Sequence, residues 1–245
     1  GSEAPFVVLG LGKLGGLELN FGSDLDLVFV YSEDGKTDGP KPVGNQQYFI
    51  ELSQQILNML GQSTPYGTLY PVDARLRPEG GSAMLALSAD AYDHYLTDRA
   101  ATWERLALSR SRLVSGDPDL GQRVLERIER FVVGTGLSEG EVTDLVGVRG
   151  RMEEKSGRGA SGGLSIKTGP GGIVDIEFIA QALQIRHAAK RGDLRTGNTL
   201  ESLRRLSEAA YLDREDAQQL QTAFGFLREV EKILRRQDER ARTRL

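Results

Sequence analysis

The sequence predicts an α/β domain followed by an all-α domain, and three observations carry that expectation. Short runs of β-branched and aromatic residues alternate with helical spacing in the first part of the chain. From Asp117 onward the apolar residues recur at helical spacing alone. Between the two lies Asp117-Pro118, a cap followed by proline at a first helical position, so domains over residues 3–116 and 117–245 are expected.

In order along the chain, Phe6 to Leu9 is a short apolar run that suits a buried strand, and the glycine-rich Gly10 to Gly16 reads as a turn. Leu17 to Asn20 is expected to begin a helix. Leu25 to Tyr31 favours a strand, because its Val, Phe and Tyr fit a pleated surface better than a helix. Phe49, Leu52, Ile56 and Leu60 give Gln47 to Leu60 a helical period, and Thr68 to Ala74 returns to a strand after the turn signal Thr-Pro-Tyr-Gly.

In the second part, Leu120, Val124, Ile128 and Val132 mark the helix opened by Asp117. Ser156 to Gly172 is dense in glycine and is expected to be irregular. Ile173 to Ala189 is apolar on nearly every side, which describes a helix buried among others. Asn198 with Glu201 forms a capping box, and Asp213 opens a last amphipathic helix through Phe224 and Leu234. A helical bundle is the plain expectation for this part, and no internal repeat is found.

The bulk composition narrows the functions. With 245 residues and 39% hydrophobic content the chain can build a sizeable core. A net charge of -4 offers no excess of cations for a phosphate backbone, so nucleic acid is not an expected partner. No apolar run approaches the roughly 20 residues of a membrane span. The absence of cysteine excludes disulfides and thiolate chemistry, and it suits a cytoplasmic setting. His94 and His187 stand too far apart in sequence for a metal motif, so a metal would be held by carboxylates, whose hard oxygens favour Mg²⁺ or Mn²⁺. Gly1-Ser2 has the look of a tag remnant and is set aside.

The carboxylates that could do chemistry are in Gly22-Ser23-Asp24-Leu25-Asp26-Leu27. Residues two apart on a strand share a face, so Asp24 and Asp26 present adjacent anions while Val28 and Val30 carry that face into the core. Such a pair repels unless a cation neutralises it. Asp73, in a second short strand, would bring a third carboxylate alongside. Two ions about 4 Å apart can clamp a triphosphate and activate an attacking hydroxyl, which points to nucleotidyl transfer. Gly15 and Gly16 would let the backbone approach phosphate oxygens. Arg75 and Arg77 suit either phosphate or the surface. A lone Asp-x-Asp also suits a turn or a solvated edge; the glycines before it and Asp73 after it favour the metal. Asp175 and Glu177 share the spacing but lie on a helix, about 200° apart, and read as structural.

Four blocks resemble a known family: Gly12 to Leu27, Val72 to Pro78, Thr102 to Leu108 and Ile166 to Phe178 are similar to the glutamine synthetase adenylyltransferases, or glutamate-ammonia-ligase adenylyltransferases. The resemblance implies a polymerase-β-like nucleotidyltransferase domain joined to a helical bundle. It implies that Asp24, Asp26 and Asp73 hold Mg²⁺ or Mn²⁺ and that ATP is the substrate. Gly15, Gly16, Ser23, Arg75 and Arg77 would lie on the nucleotide side. Proteins of the family carry two homologous halves, one attaching AMP to a tyrosine of glutamine synthetase and one removing it by phosphorolysis. Here Val72 to Pro78, Gly171 to Phe178 and Gln184 to Ala188 look more like the C-terminal, adenylylating half, so an upstream half is expected to have been cut away or never to have existed. Glutamine synthetase and a nitrogen-signalling regulatory protein are the implied partners. One departure is that only seven residues separate Gly16 from Asp24, tighter than in the wider superfamily. The alternatives are removal of AMP, a related uridylyltransferase that takes UTP, and a non-catalytic regulatory module of the same fold.

Overall fold

A computed structural model describes residues 4–38, 40–65, 67–68, 70–157 and 165–237. It is mixed α/β, a small sheet accompanied by many helices. Contacts divide the chain into two units, the first comprising Gly1–Leu19, Ser23–Ala101 and Arg110–Phe131, the second Asn20–Gly22, Thr102–Ser109 and Val132–Leu245.

The first unit opens with β1 (Phe6–Gly10), the single helical turn α1 (Gly12–Gly15) and β2 (Leu25–Tyr31). Next come α2 (Asn45–Gly61), the short strands β3 (Ser63–Thr64), β4 (Gly67–Thr68) and β5 (Val72–Asp73), then β6 (Ala86–Ser88) and α3 (Ala89–Asp98). α4 (Thr102–Leu108) belongs to the second unit, after which β7 (Arg112–Gly116) and most of α5 (Pro118–Val133) return to the first. The sheet runs β5-β2-β1-β7, with β6 also paired to β2. β1 is antiparallel to β2 and β7, whereas β5 and β6 are parallel to β2. Leu25, Leu27, Phe29 and Tyr31 alternate onto one face and pack with Phe49 of α2, Val8 and Ala86. Phe6, Phe29, Phe49 and Tyr31 add parallel ring contacts with centroids 4.9 to 6.0 Å apart. Val28 and Val30, on the other face, are buried as well.

The second unit contains α4, then α6 (Glu139–Gly157), α7 (Ile173–Ala188), α8 (Thr199–Glu208) and α9 (Arg214–Gln237). Ile173, Ile176, Ala180, Leu203 and Phe224 form its core, with Leu212, Leu220 and Leu227 against it. Buried Arg105 of α4 ends α5 chemically: it donates to the carbonyls of Val132, Val133 and Gly136 at 2.8 to 3.0 Å and pairs with Glu141 at 2.5 Å. Those carbonyls carry the helix's partial negative charge, which a guanidinium answers. Trp103, on the same short helix, is 41% exposed. Asn20–Gly22 joins this unit through α9: Arg235 donates to the carbonyls of Phe21 and Gly22 at 3.1 and 2.5 Å and pairs with the fully buried Glu231.

Most expected elements are present, with instructive differences. Leu17 to Asn20 is not helical; Leu17 sits at φ +58, a left-handed conformation that ends the turn begun at Gly12. The strand expected over Thr68 to Ala74 is divided: Gly67–Thr68 pairs with Ser63–Thr64, and Val72–Asp73 joins β2. Pro71 lacks the N–H a continuous ladder needs, although its carbonyl accepts from Leu25. Leu69 of that stretch, Tyr66 of the turn before it and residues 158–164 of the expected irregular segment lie outside the described residues; from Ile166 to Gly172 the backbone is turns and bends. Asp117 caps α5 through Leu120 N–H at 2.7 Å. The Asn198 capping box is half made: Asn198 accepts from Glu201 N–H, while its own N–H donates to Thr196 Oγ1. Glu201 turns instead to Arg204 and Arg205. Among the described residues no helix is long and apolar enough to cross a membrane.

Candidate active site

β2 and β5 bring the expected carboxylates to one end of the sheet. Asp26 and Asp73 are direct partners in the parallel pairing, and Asp24 precedes β2 by one residue. The strand places Asp26 half-buried and leaves Asp24 exposed, while Ser23 between turn and strand is buried. The register sets Asp73 beside Asp26, and Asp24 lies just ahead of the strand.

Asp73 does not face its neighbours freely. Both of its oxygens accept from Arg75: Nε lies 2.9 Å from each, Nη2 2.5 Å from Oδ2, and the backbone N–H of Arg75 2.8 Å from Oδ1. The guanidinium holds the Asp73 carboxyl below the usual carboxylate range, against the opposing effect of burial. Arg75 is in turn raised, chiefly by Asp73 and further by the charges of Asp24 and Asp26. A single cation on the chain thus stands in the field of all three carboxylates.

For a divalent ion, the donor type and the backbone placement fit, and Arg75 stands where positive charge is wanted. The side-chain arrangement does not yet fit: among the described residues no three acidic or histidine side chains converge closely enough to hold an ion. His94, exposed on α3, bonds to its own helix at Asp90 O, and His187 stacks on Tyr211.

The glycine-rich turn packs closely against Asp26 of β2 and against the backbone at Arg110. Gly12, at φ +51, is where Asp26 passes: a Cβ there would meet Asp26 Oδ2 at 2.2 Å. Gly15 is buried against backbone, its missing Cβ lying 1.7 Å from the carbonyl oxygen of Arg110. Gly16 continues the turn at φ -76, an ordinary right-handed conformation. The turn is braced by a buried pair, Arg110 with Glu18 at 3.2 Å, and by Arg112 donating to Leu14 O at 2.9 Å. Sequence reading missed Gly12; the signal was a second glycine, in Gly10-Leu-Gly12, at the first position of the helical turn.

Arg77 donates to the carbonyls of Ala74, Gly81 and Ala83 at 2.6 to 3.2 Å, closing the loop after Asp73. Asp175 is structural, as its helical position implied. It accepts from Arg149 and from Gly171 N–H, and Arg149 also donates to Gly169 O, so this network fixes the turn ahead of α7.

The family model for glutamate-ammonia ligase adenylyltransferase matches residues 1–127, slightly more than half of the chain. The chain belongs to that adenylyltransferase family. A second model, GlnD PII-uridylyltransferase, matches residues 147–245 of this adenylyltransferase-family chain. Relatives named bifunctional glutamine synthetase adenylyltransferase/adenylyl-removing enzyme include one from Thioalkalivibrio sulfidiphilus, 38% identical over the whole chain and covered over 25% of its own length. Another, from Xanthomonas axonopodis pv. citri, is 40% identical over 96% of the chain and 25% of the relative. A third, from Idiomarina loihiensis, is 41% identical over 91% of the chain and 24% of the relative. The chain thus spans about a quarter of the length of these adenylyltransferase relatives.

Proposed function

We propose that this chain transfers AMP from ATP to a tyrosine hydroxyl of glutamine synthetase and releases pyrophosphate, using a polymerase-β-like nucleotidyltransferase domain. The observation that carries the reading is the pairing of Asp26 with Asp73 beside Asp24, in a chain of an adenylyltransferase family. Asp24, Asp26 and Asp73 would hold Mg²⁺ or Mn²⁺, which supplies the positive charge that stabilises phosphoryl oxygens and the attacking oxygen.

The chain's own residues do the rest. Gly12 leaves room for the Asp26 carboxylate. Ser23, Gly15 and Gly16 lie on the nucleotide side, and exposed Arg75 offers a fork that suits phosphate. Arg77 shapes the loop that carries Asp73 and Arg75. The tyrosine oxygen forms the new bond to the α-phosphorus, the bond to pyrophosphate breaks, and Asp73 receives the hydroxyl proton. Glutamine synthetase is the protein substrate in this reading, with a nitrogen-signalling protein as regulator.

The direction of reaction rests on the resemblance of Val72 to Pro78, Gly171 to Phe178 and Gln184 to Ala188 to the adenylylating half, since the relatives' names cover both directions. Of these residues, Asp175 and Gln184 are occupied with structure: buried Gln184 donates to Thr196 O and Ser202 Oγ. The test is to incubate the purified protein with glutamine synthetase, Mg²⁺ and ATP labelled in its α-phosphate, beside a parallel reaction of labelled, adenylylated glutamine synthetase with phosphate. Label should appear on the synthetase in the first reaction and fall at least about 100-fold in Asp26→Asn, with the fold retained. Loss of label in the second reaction, with none gained in the first, would reverse the assignment.

A second reading takes UTP in place of ATP, although the uridylyltransferase match over residues 147–245 lies outside the residues assigned to the nucleotide. Calorimetric titration with both nucleotides separates them.

A further inference from the structure

The grip on Asp73 has a different character from the other arginine contacts near it. Arg77 is tied to three carbonyls of its loop, so releasing it would open the loop. Arg75 closes a small ring with a residue two positions away, and its side chain is 78% exposed against 17% for Asp73. The guanidinium itself is exposed, and when it swings out the Asp73 carboxylate keeps the backbone N–H of Arg75 as a donor. While it stays, both oxygens of Asp73 are engaged, and a divalent ion at 2.0 to 2.6 Å from an oxygen would also be pushed against a second positive charge.

We propose that Arg75 is a built-in counter-ion of the carboxylate group, a latch that must leave Asp73 before a divalent cation can be bound through it. The proposal rests on the reading of Asp24, Asp26 and Asp73 as cation ligands. The latch pairs with Asp73 and places one positive charge near Asp24 and Asp26, which eases the repulsion among the three carboxylates. It also lowers cation affinity, because only the open fraction of molecules binds. When the fork lets go of Asp73 it remains beside the site, free to meet a phosphate in the same two-pronged way.

The test is a Mn²⁺ titration of the nucleotide-free protein, following free Mn²⁺ by electron paramagnetic resonance. Arg75→Gln should bind Mn²⁺ about fivefold more tightly than the parent, the scale expected for an exposed ion pair. Arg75→Lys keeps the charge and the backbone N–H but cannot make the two-pronged grip of Nε and Nη2, and it should tighten binding in the same direction. Both gains should vanish when Asp73→Asn is added. If Arg75→Gln binds more tightly but Arg75→Lys matches the parent, the effect is bulk charge and the latch is overturned; equal affinity in all three proteins overturns it as well. If no Mn²⁺ binding sensitive to Asp26→Asn is found in any of them, the cation reading itself fails, and the latch with it. Because Arg75 is exposed, these variants should fold as the parent does.

Discussion

Two glycines a single turn apart have opposite consequences when given a methyl group. At Gly15 the added carbon would lie 1.7 Å from Arg110 O and 2.7 Å from Gly10 O, both backbone atoms that cannot step aside. Gly15→Ala should therefore lose about 3 kcal/mol of stability in urea unfolding, and a loss under 1 kcal/mol would show that the turn can shift as a body. At Gly12 the obstacle is the end of the Asp26 side chain, which can move. Gly12→Ala should cost about 1–2 kcal/mol from its left-handed backbone while reducing transfer about 100-fold through the displaced carboxylate. Equal activity in Gly12→Ala and the parent would detach Gly12 from the site. The placement of Asp73 beside Asp26 was legible in the sequence, because a strand pair fixes a neighbour, whereas Asp24 lies one residue ahead of β2, where period-two spacing no longer fixes a face. Gly12 and the Arg75 grip were not, since both depend on where a carboxylate points after the backbone is set. The same limit applies to Arg77, whose charge suggested phosphate before its carbonyl partners were known.

Among the elements, helix ends show how side chains decide where structure stops. Arg105 gathers the carbonyls of Val132 and Val133 in the last turn of α5 and of Gly136 beyond it, and Arg105→Met would leave them without this donor and Glu141 without its ion-pair partner. A loss of about 3 kcal/mol is expected in chemical denaturation, and a variant within 0.5 kcal/mol of the parent would mean that water replaces the guanidinium. At the start of α8 the chemistry is ionic: Arg204, then Arg205, hold the Glu201 carboxyl at about 2. A depressed folded-state value contributes stability above the ordinary carboxylate range and loses it as pH falls through the folded value. Glu201→Gln should consequently melt below the parent at pH 7, and the two curves should converge between about pH 4 and about 2. A constant difference down to acid pH would assign the effect to packing. Caps at Asp117 and Asp213 were legible because a side-chain oxygen two or three residues from a backbone N–H is a local matter. The division of Thr68 to Ala74 was not, because which partner each piece takes is settled by the sheet.

For the whole molecule, the two units are each assembled from three separate stretches, so no single cut divides them. A sequence read from left to right suggests successive domains, because periodicity reports an element's type and says nothing of which neighbours it joins. Residues 132–245 alone would lack α4, whose Leu106 and Leu108 are buried and whose Arg105 pairs with Glu141. That fragment should melt broadly, well below the parent's own transition in circular dichroism; a sharp transition at the parent's temperature would show that α4 is dispensable. The excursion of α4 also settles what light can report. The chain's one tryptophan, Trp103, rides on that helix and so belongs to the helical unit, although its place in the sequence is among residues of the sheet unit. Indole fluorescence is therefore an intrinsic label of the helical unit alone. The buried Tyr31, Tyr92 and Tyr95 of the other unit give the matching signal for the sheet once Tyr211 of the helical unit is replaced by Phe, and the order in which the two emissions change on heating reads out which unit lets go first.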